Sequence, residues 1–298
     1  MHTLLLSVPV ALLALHHLVD DSTAVTAALH ALSGWLFVPA ACLAVVVALR
    51  VHQRGWPYVL LAVGVLLPAL RGHGPHVAPE GEPLRVVTAN VLMVNDAYDE
   101  VLAELFAADP DVIVLQEVSH GWGAALAGSA LDAWPYRRVI PQDGSFGIAV
   151  LSRVPARFET VDLLGVPAVR AVLDDGTTVL GVHTLPPRNA EYAPLWHAQM
   201  GLLAELDADV VAGDLNATRH HPSYRRLLAT GMRDAHAEVG RASASTWPNG
   251  VFPVPPMRLD HVLVGPGLGV VGVRELPAHG SDHAPVVADL VLRPGQRS

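Results

Sequence analysis

Four polar islands close or open apolar, β-branched runs in this chain. Asn90 ends Thr88-Ala89-Asn90 after the run 84–87, and Gln116-Glu117 follows 112–115. Gly213-Asp214-Leu215-Asn216 follows 209–212, and Ser281-Asp282-His283 sits in a turn just before 286–292. Strands that each deliver a carboxylate, amide or imidazole at one end gather a polar site on a rigid sheet. Carboxylate and amide oxygens suit a hard divalent cation, and an Asp beside a His suits proton transfer. The set contains no Cys and no Ser in a nucleophile elbow. It therefore fits metal-assisted hydrolysis better than a covalent acyl-enzyme route.

The elements that must position these residues follow from hydrophobic periodicity. The pattern predicts a buried strand over 84–92, then a helix over 99–108 with Val101, Leu102, Leu105 and Phe106 at helical spacing, then a strand over 111–115. Further strands are predicted over 137–140, 146–151, 158–163, 169–173 and 178–182. A helix follows over 192–206, a strand over 209–211, a helix after Pro222, and strands over 260–264, 270–276 and 286–292. Many strands with a few helices among them imply two packed sheets flanked by helices.

The chain has 298 residues, 51% of them hydrophobic, with a mean hydropathy of +0.38. The excess lies in residues 1–70, where Asp20, Asp21, Arg50 and Arg54 are the sole formal charges. Three apolar runs, 3–19, 24–49 and 56–70, predict about three transmembrane helices, since a bilayer core takes roughly 17–25 residues per helix. A cleaved signal peptide fits the first run poorly, because no basic segment precedes it and no small-x-small site stands before Asp20. Arg50 and Arg54 in the second connection place that loop in the cytoplasm. The expectation is a multi-pass cell-membrane protein whose second domain is extracytoplasmic. Residues 71–82, rich in Gly, Pro and His, read as a linker, with His73 and His76 solvated, and 83–298 as the catalytic domain. His16, His17 and His30 read as packing or snorkelling groups. The single Cys42 forms no internal disulfide. Asp and Glu outnumber Arg 28 to 19, giving a net charge of −9, which disfavours non-specific grip on nucleic acid.

The stretches Thr88-Ala89-Asn90, Leu115-Gln116-Glu117, Gly147 to Arg153, Val182-His183-Thr184, Gly213-Asp214-Leu215-Asn216, Leu259-Asp260-His261 and Ser281 to Pro285 occur in one order. In that order the chain resembles the endonuclease/exonuclease/phosphatase superfamily, which includes nucleases related to DNase I, inositol phosphatases and neutral sphingomyelinases. The resemblance covers about 84–292. It implies a four-layer α/β/β/α sandwich (DNase I-like) with the site at one edge of the paired sheets. It also implies phosphoester hydrolysis dependent on Mg²⁺, with Mn²⁺ as an alternative. Gly231 to Ala235, the stretch before Thr246-Trp247-Pro248, and Pro256 to His261 are similar in style to a bacterial membrane-anchored subgroup described as glycopeptide-resistance proteins, thought to act on undecaprenyl pyrophosphate-type lipids. One position departs. Some DNA-repair members carry an acidic residue two positions after the first Asn, and here that position is Leu92.

The resemblance implies roles for individual residues. Glu117 is the metal ligand, with Asn90 adding an amide oxygen or orienting a metal-bound water, and Asp282 assisting the metal or holding His283. His283 stands at the family's catalytic histidine with Asp260 as its partner. Asp214 is the rival activator of water, Asn216 a donor to a phosphoryl oxygen, and His183 a contact to the phosphate or leaving group. Arg153, Arg170, Arg188 and Arg258 are weighed as contacts to a second phosphate against simple solvation. Trp247 and Phe252 are weighed as contacts to a lipid chain against loop packing, and His220, His221 and His261 read as loop or supporting groups. The expected function is a membrane-anchored phosphoesterase acting on a lipid-linked phosphate or pyrophosphate. A membrane-tethered extracellular endonuclease and a sphingomyelinase-like phosphodiesterase are the alternatives.

Overall fold

The computed structural model describes residues 2–50, 56–70, 76–128, 132–250 and 255–293. Arg54, Arg71, His73 and Phe252 lie outside the described residues. Three helices come first: α1 (His2–Leu18), α2 (Ala24–Arg50) and α3 (Trp56–Leu70). The sandwich follows as β1 (Glu82–Asn90), α4 (Tyr98–Ala107), β2 (Val112–Gln116), α5 (His120–Ala125), β3 (Tyr136–Ile140) and β4 (Ile148–Ser152). Its second half holds β5 (Ala156–Leu163), β6 (Val166–Leu173), β7 (Thr178–His183), α6 (Tyr192–Glu205), β8 (Val210–Asp214) and α7 (Pro222–Ala229). It closes with β9 (Arg233–Asp234), α8 (Ala235–Glu238), β10 (Asp260–Val264), β11 (Leu268–Glu275) and β12 (Val286–Leu292).

Two six-stranded mixed sheets form, ordered β11-β12-β1-β2-β4-β3 and β5-β6-β7-β8-β10-β9. Each is antiparallel except for one central parallel pair joined by a helix: β1 with β2 through α4, and β7 with β8 through α6. The apolar runs of the central strands are continuous because both of their faces are buried. One face, with Val86, Val114, Val150, Val169, Val210 and Val262, packs between the sheets. The other face of the first sheet buries Val87, Ile113 and Leu115 against Val101 and Leu105 of α4 and Trp122 of α5. The outer face of the second sheet buries Leu180, Val211 and Leu263 against Trp196, Met200 and Leu203 of α6 and Leu227 of α7. The stacking is thus helix, sheet, sheet, helix. At Gly181 the sheets come so close that a Cβ would lie 2.8 Å from Val114 Cγ1 and Val150 Cγ2.

Three short elements, α5, β9 and α8, were not anticipated, since four to six residues or fewer carry too little periodicity to read. The strand expected over 209–211 runs on to Asp214, because its ladder with β7 continues through Val182 with Gly213 and His183 with Asp214. Gly213 makes this possible: its φ is +151°, and a Cβ there would lie 1.9 Å from the Val182 carbonyl oxygen.

The expectation of about three membrane spans is corrected. All three apolar runs are helical, but among the described residues α2 alone, at 27 residues, is long and apolar enough to cross a membrane. The 17 residues of α1 and 15 of α3 rise roughly 25 and 22 Å, short of a ~30 Å hydrocarbon core. Ala40, Ala41, Ala44 and Phe37 of α2 pack with Leu12 of α1 and Ala62 and Val65 of α3. The opposite rows of α2, including Val25, Leu29, Leu32, Leu36, Val45, Val46 and Leu49, are exposed and apolar.

The first half of α2 also docks on the sandwich. Ala27 joins the core under α6 and α7. The His30 ring lies 6.0 Å from that of His221, and the Phe37 ring 5.2 Å from that of His220. Trp35 Nε1 donates to the Pro256 carbonyl at 3.0 Å.

Candidate active site

Both parallel pairs point their C-terminal ends at one edge, where open α/β sheets expose backbone and loops to ligands. There β1 ends in Asn90, β2 in Gln116 followed by Glu117, β7 in His183 and β8 in Asp214. The antiparallel neighbours begin at the same edge: Asp260 starts β10 directly across from Asp214, and His283 precedes β12. All eight residues expected at the site are carried to this edge. Three of the nearby residues, Leu92, Glu117 and Asn216, are non-glycine residues with φ between +46° and +61°. Such conformations cost about 1–3 kcal/mol each and collect at functional sites.

Asp214 Oδ2 is the centre of the cluster. Asn90 Nδ2 donates to it at 3.2 Å, His183 Nε2 lies 3.6 Å away and His283 Nε2 3.8 Å away. The other oxygen, Oδ1, accepts from the Asn216 backbone at 2.8 Å. His183 Nδ1 sits 3.0 Å from the Ser145 carbonyl. A carbonyl only accepts, so Nδ1 carries the hydrogen and Nε2 faces the site. Asn216 spends one amide hydrogen on the Thr184 carbonyl at 2.9 Å, which leaves a second for a ligand.

His283 Nδ1 is 2.8 Å from Asp260 Oδ2. Two loops staple this pair. Thr246 Oγ1 accepts from Asp260 N at 3.2 Å, and the Thr246 carbonyl accepts from Ala284 N at 2.8 Å. Ser281 Oγ donates to the Asn90 carbonyl at 2.7 Å and accepts from His283 N at 3.1 Å. Asp282 turns away from the pair and accepts from Trp247 Nε1 at 3.0 Å.

Burial alone would lower the pKa of His283, but the Asp260 and Asp214 carboxylates outweigh it and raise it to about 10. Burial pushes Asp260 up, yet the charge and hydrogen bond of His283 hold it below the ordinary range. Asp214 goes the other way. Its burial raises it, and the charges of His283 and His183 only partly offset that.

Glu117 is half-buried at the rim. Its Oε1 accepts from Asn90 Nδ2 at 3.1 Å and its Oε2 from Met93 N at 3.1 Å. Each oxygen keeps a lone pair, so the carboxylate can still bind a cation. The Glu117 carboxylate offers hard oxygen that fits Mg²⁺, an ion that keeps several waters, while the Asp282 carboxylate is held by Trp247. Asn90 as placed offers its NH₂ to two carboxylates, while its oxygen accepts from Leu92 N at 3.1 Å. Asp214, Asp260 and His283 also bring ligand-type atoms within 4.8 Å of one another. We read those three as a proton-holding group, because His283 Nδ1 and Asp260 Oδ2 are already paired, with Asp260 Oδ1 left buried and without a partner.

Three of the four candidate arginines have other partners, and Arg170 on β6 has its Nε buried with no hydrogen-bond partner. Arg153 pairs with Asp109 at 2.6 Å, Arg258 is buried against Asp234, and Arg188 stacks over Tyr192. His261 is buried with Nε2 2.8 Å from the Ala217 carbonyl, and His221 lies against Thr218, both as supporting groups. Sequence reasoning missed Thr246, Ser281 and Ser145 as the groups that set the imidazoles. It missed the Trp247–Asp282 bond as well. No local pattern marks contacts made between residues 14 to 191 positions apart.

The profile of the Endonuclease/Exonuclease/phosphatase family matches residues 87–283. No curated protein matches the chain. Among solved structures, D. rerio TDP2 complexed with single-strand DNA product is similar at 16% identity and a TM-score of 0.58, over 70% of this chain and 98% of that one. An endonuclease/exonuclease/phosphatase from Beutenbergia cavernae DSM 12333 gives 22% identity and a TM-score of 0.57, over 71% and 72%. Sphingomyelinase C from Streptomyces griseocarneus gives 22% and 0.51, over 70% and 99%. At these identities the likeness is one of fold.

Proposed function

The chain belongs to the endonuclease/exonuclease/phosphatase family, a family of metal-dependent phosphoester hydrolases, and from that premise we propose that it is a membrane-anchored, Mg²⁺-dependent phosphoesterase cleaving a lipid-linked phosphate ester or pyrophosphate of the undecaprenyl pyrophosphate kind. The observation that carries the lipid assignment is the docking of α2. One side of this apolar helix packs on the sandwich through Ala27, Trp35 and Phe37, while the opposite row, Val25, Leu29, Leu32 and Leu36, stays exposed. A sandwich held against a membrane helix meets substrates presented at the lipid surface. The net charge of −9 opposes a long polyanion.

In this reading α2 is the membrane anchor, with α1 and α3 packed beside it, and the Arg50 end faces the cytoplasm, so the sandwich lies on the outer face. Asp214 accepts the proton of the attacking water at Oδ2. A carboxylate with a raised pKa is a better base near neutrality than an ordinary one. His283, fixed by Asp260, directs Nε2 at the phosphoryl oxygens, and Asn216 and His183 line the same position. Glu117, together with Asn90 and Asp282, would hold Mg²⁺, whose chemistry there is neutralisation of phosphoryl charge.

The test is full-length protein in detergent with Mg²⁺, given undecaprenyl pyrophosphate, phospholipid and plasmid DNA in parallel, with His283→Ala as control. Phosphate release from the lipid pyrophosphate that is lost in His283→Ala supports the reading. Nicking of DNA with no turnover of either lipid replaces it with the nuclease, and turnover of phospholipid alone replaces it with the sphingomyelinase-like phosphodiesterase.

A further inference from the structure

A cleft of about 520 Å³ separates α2 from the sandwich, within the size range of sites that enclose small ligands. Its helix wall includes Ala31, Trp35 and Val38, and its sandwich wall sets Thr218, Ala244 and Met257 beside the polar side chains of Arg219, His220 and Arg258. The Trp35–Pro256 hydrogen bond ties the two walls together.

Two features say what this cleft meets at either end. Trp35 and Val38 of the helix wall are themselves exposed. A bilayer lying against α2 at these two residues therefore meets the mouth of the cleft. The far wall belongs to the active-site frame. Met257 N donates to the Trp247 carbonyl at 2.6 Å and Trp247 N to the Met257 carbonyl at 2.9 Å. Trp247 in turn binds Asp282, and its ring lies 6.4 Å from that of His283. Thr218 stands two residues after Asn216. The cleft thus runs between lipid level and the backbone that carries the phosphoryl site.

We propose that this cleft takes the hydrocarbon chain of the substrate while its phosphate is cleaved at Asp214 and His283. The proposal rests on the lipid reading above. It makes α2 a wall of the substrate site as well as an anchor.

The experiment uses the full chain in phosphatidylcholine nanodiscs with Mg²⁺ and a series of straight-chain alkyl diphosphates from butyl to decyl, kept monomeric. For wild type, kcat/KM should climb roughly twofold or more per methylene, as expected for a chain leaving water. Ala31→Trp and Ala244→Trp, one on each wall, should flatten that climb and leave butyl diphosphate turnover unchanged, which also shows that each variant is folded. A climb that survives in whichever variants retain butyl turnover overturns the chain site and leaves the lipid reading standing, as does a wild-type rate independent of chain length. No turnover of any alkyl diphosphate or of undecaprenyl pyrophosphate, together with DNA nicking, overturns both.

Discussion

Asp260 and Asp214 occupy one rung of the antiparallel ladder between β10 and β8, and the same rung holds them in opposite electrostatic conditions. Both are buried. Asp260 touches His283 at 2.8 Å and is held below its ordinary pKa. Asp214 is 3.8 Å from the other nitrogen of that ring and is raised by burial. Neighbouring titratable groups pushed apart in this way mark a division of labour between holding charge and moving a proton.

That division predicts unequal kinetics. Asp260→Asn keeps the shape but lets the His283 ring lose its fixed orientation and charge, so kcat should fall roughly 10²–10⁴-fold with little change in KM. The double variant Asp260→Asn/His283→Ala should be no slower than His283→Ala alone, because the two act as one unit. Additive losses in steady-state kinetics would show that Asp260 works independently.

Metal dependence should centre on Glu117. Glu117→Gln removes a charge from the oxygen set, and the Mg²⁺ concentration for half-maximal activity should rise by an order of magnitude or more. Asn90→Ala, which removes the donor bridging Glu117 and Asp214, should raise it roughly 10-fold. A Mg²⁺ titration after treatment with a chelator measures both. An unchanged half-saturation in Glu117→Gln would move the metal elsewhere.

Gly213 is the residue that lets β8 deliver Asp214. With φ at +151° and the Val182 carbonyl 1.9 Å from any Cβ, Gly213→Ala should cost about 3 kcal/mol, by strain and by displaced backbone. Thermal unfolding should show the loss, and activity should fall with it because Asp214 is the next residue.

Much of this candidate site was legible because its side chains end or open runs of Val, Ile, Leu or Ala. Asn90, Glu117, Asp214 and Asp260 each stand next to four or five apolar or strand-forming residues, so strand and site could be read from one pattern. What escaped depends on folding at a distance. Arg258, beside Asp260 in sequence, resembles a phosphate contact, yet the sheet curls it into a buried pair with Asp234. The membrane segment was over-read for a related reason. Hydropathy marks apolar residues but cannot say that Pro9 and the short lengths of α1 and α3 leave α2 alone with the reach of a span.

Acid should loosen the sandwich before it titrates ordinary carboxylates. Burial lowers His261 to about 3 and His221 to about 4, from an unfolded value near 6.5. The unfolded chain therefore binds more protons below pH 6.5. Stability is full above that value and is lost as pH falls toward the folded values. Each histidine should contribute a loss on the order of 1 kcal/mol by pH 5.5. Asp234, held at about 2 because Arg258 outweighs its burial, adds a further loss only below about pH 4. Melting temperature against pH should fall from pH 6.5 downward, and His261→Asn should flatten that fall. A flat profile to pH 4.5 in the wild type would contradict the buried neutral state of these rings.

Asp21 joins the helical segment to the sandwich. The N-cap residue of α7, His221, makes no side-chain cap. The amino end is capped instead by Asp21, from the connection between α1 and α2. Its Oδ2 accepts from Ser223 N at 2.8 Å and its Oδ1 from Ser223 Oγ at 2.7 Å. His197 Nδ1 of α6 lies 3.0 Å from the same Oδ1. Burial raises the Asp21 pKa, but the two Ser223 hydrogen bonds outweigh it and hold the carboxylate ionised. A negative charge at a helix amino end is favourable, and here it couples residue 21 to an element 200 residues later. Asp21→Ala leaves Ser223 N buried without an acceptor and should cost about 1–2 kcal/mol. Because Asp21 belongs to the helical segment, the loss should appear first as detachment: limited proteolysis in the 71–82 connection should quicken more than cleavage within the sandwich. Asp21→Asn, which keeps an acceptor oxygen, should recover part of the protection. Equal rates for wild type and Asp21→Ala would mean that the apolar contacts of Ala27, Trp35 and Phe37 hold the helices in place without this cap.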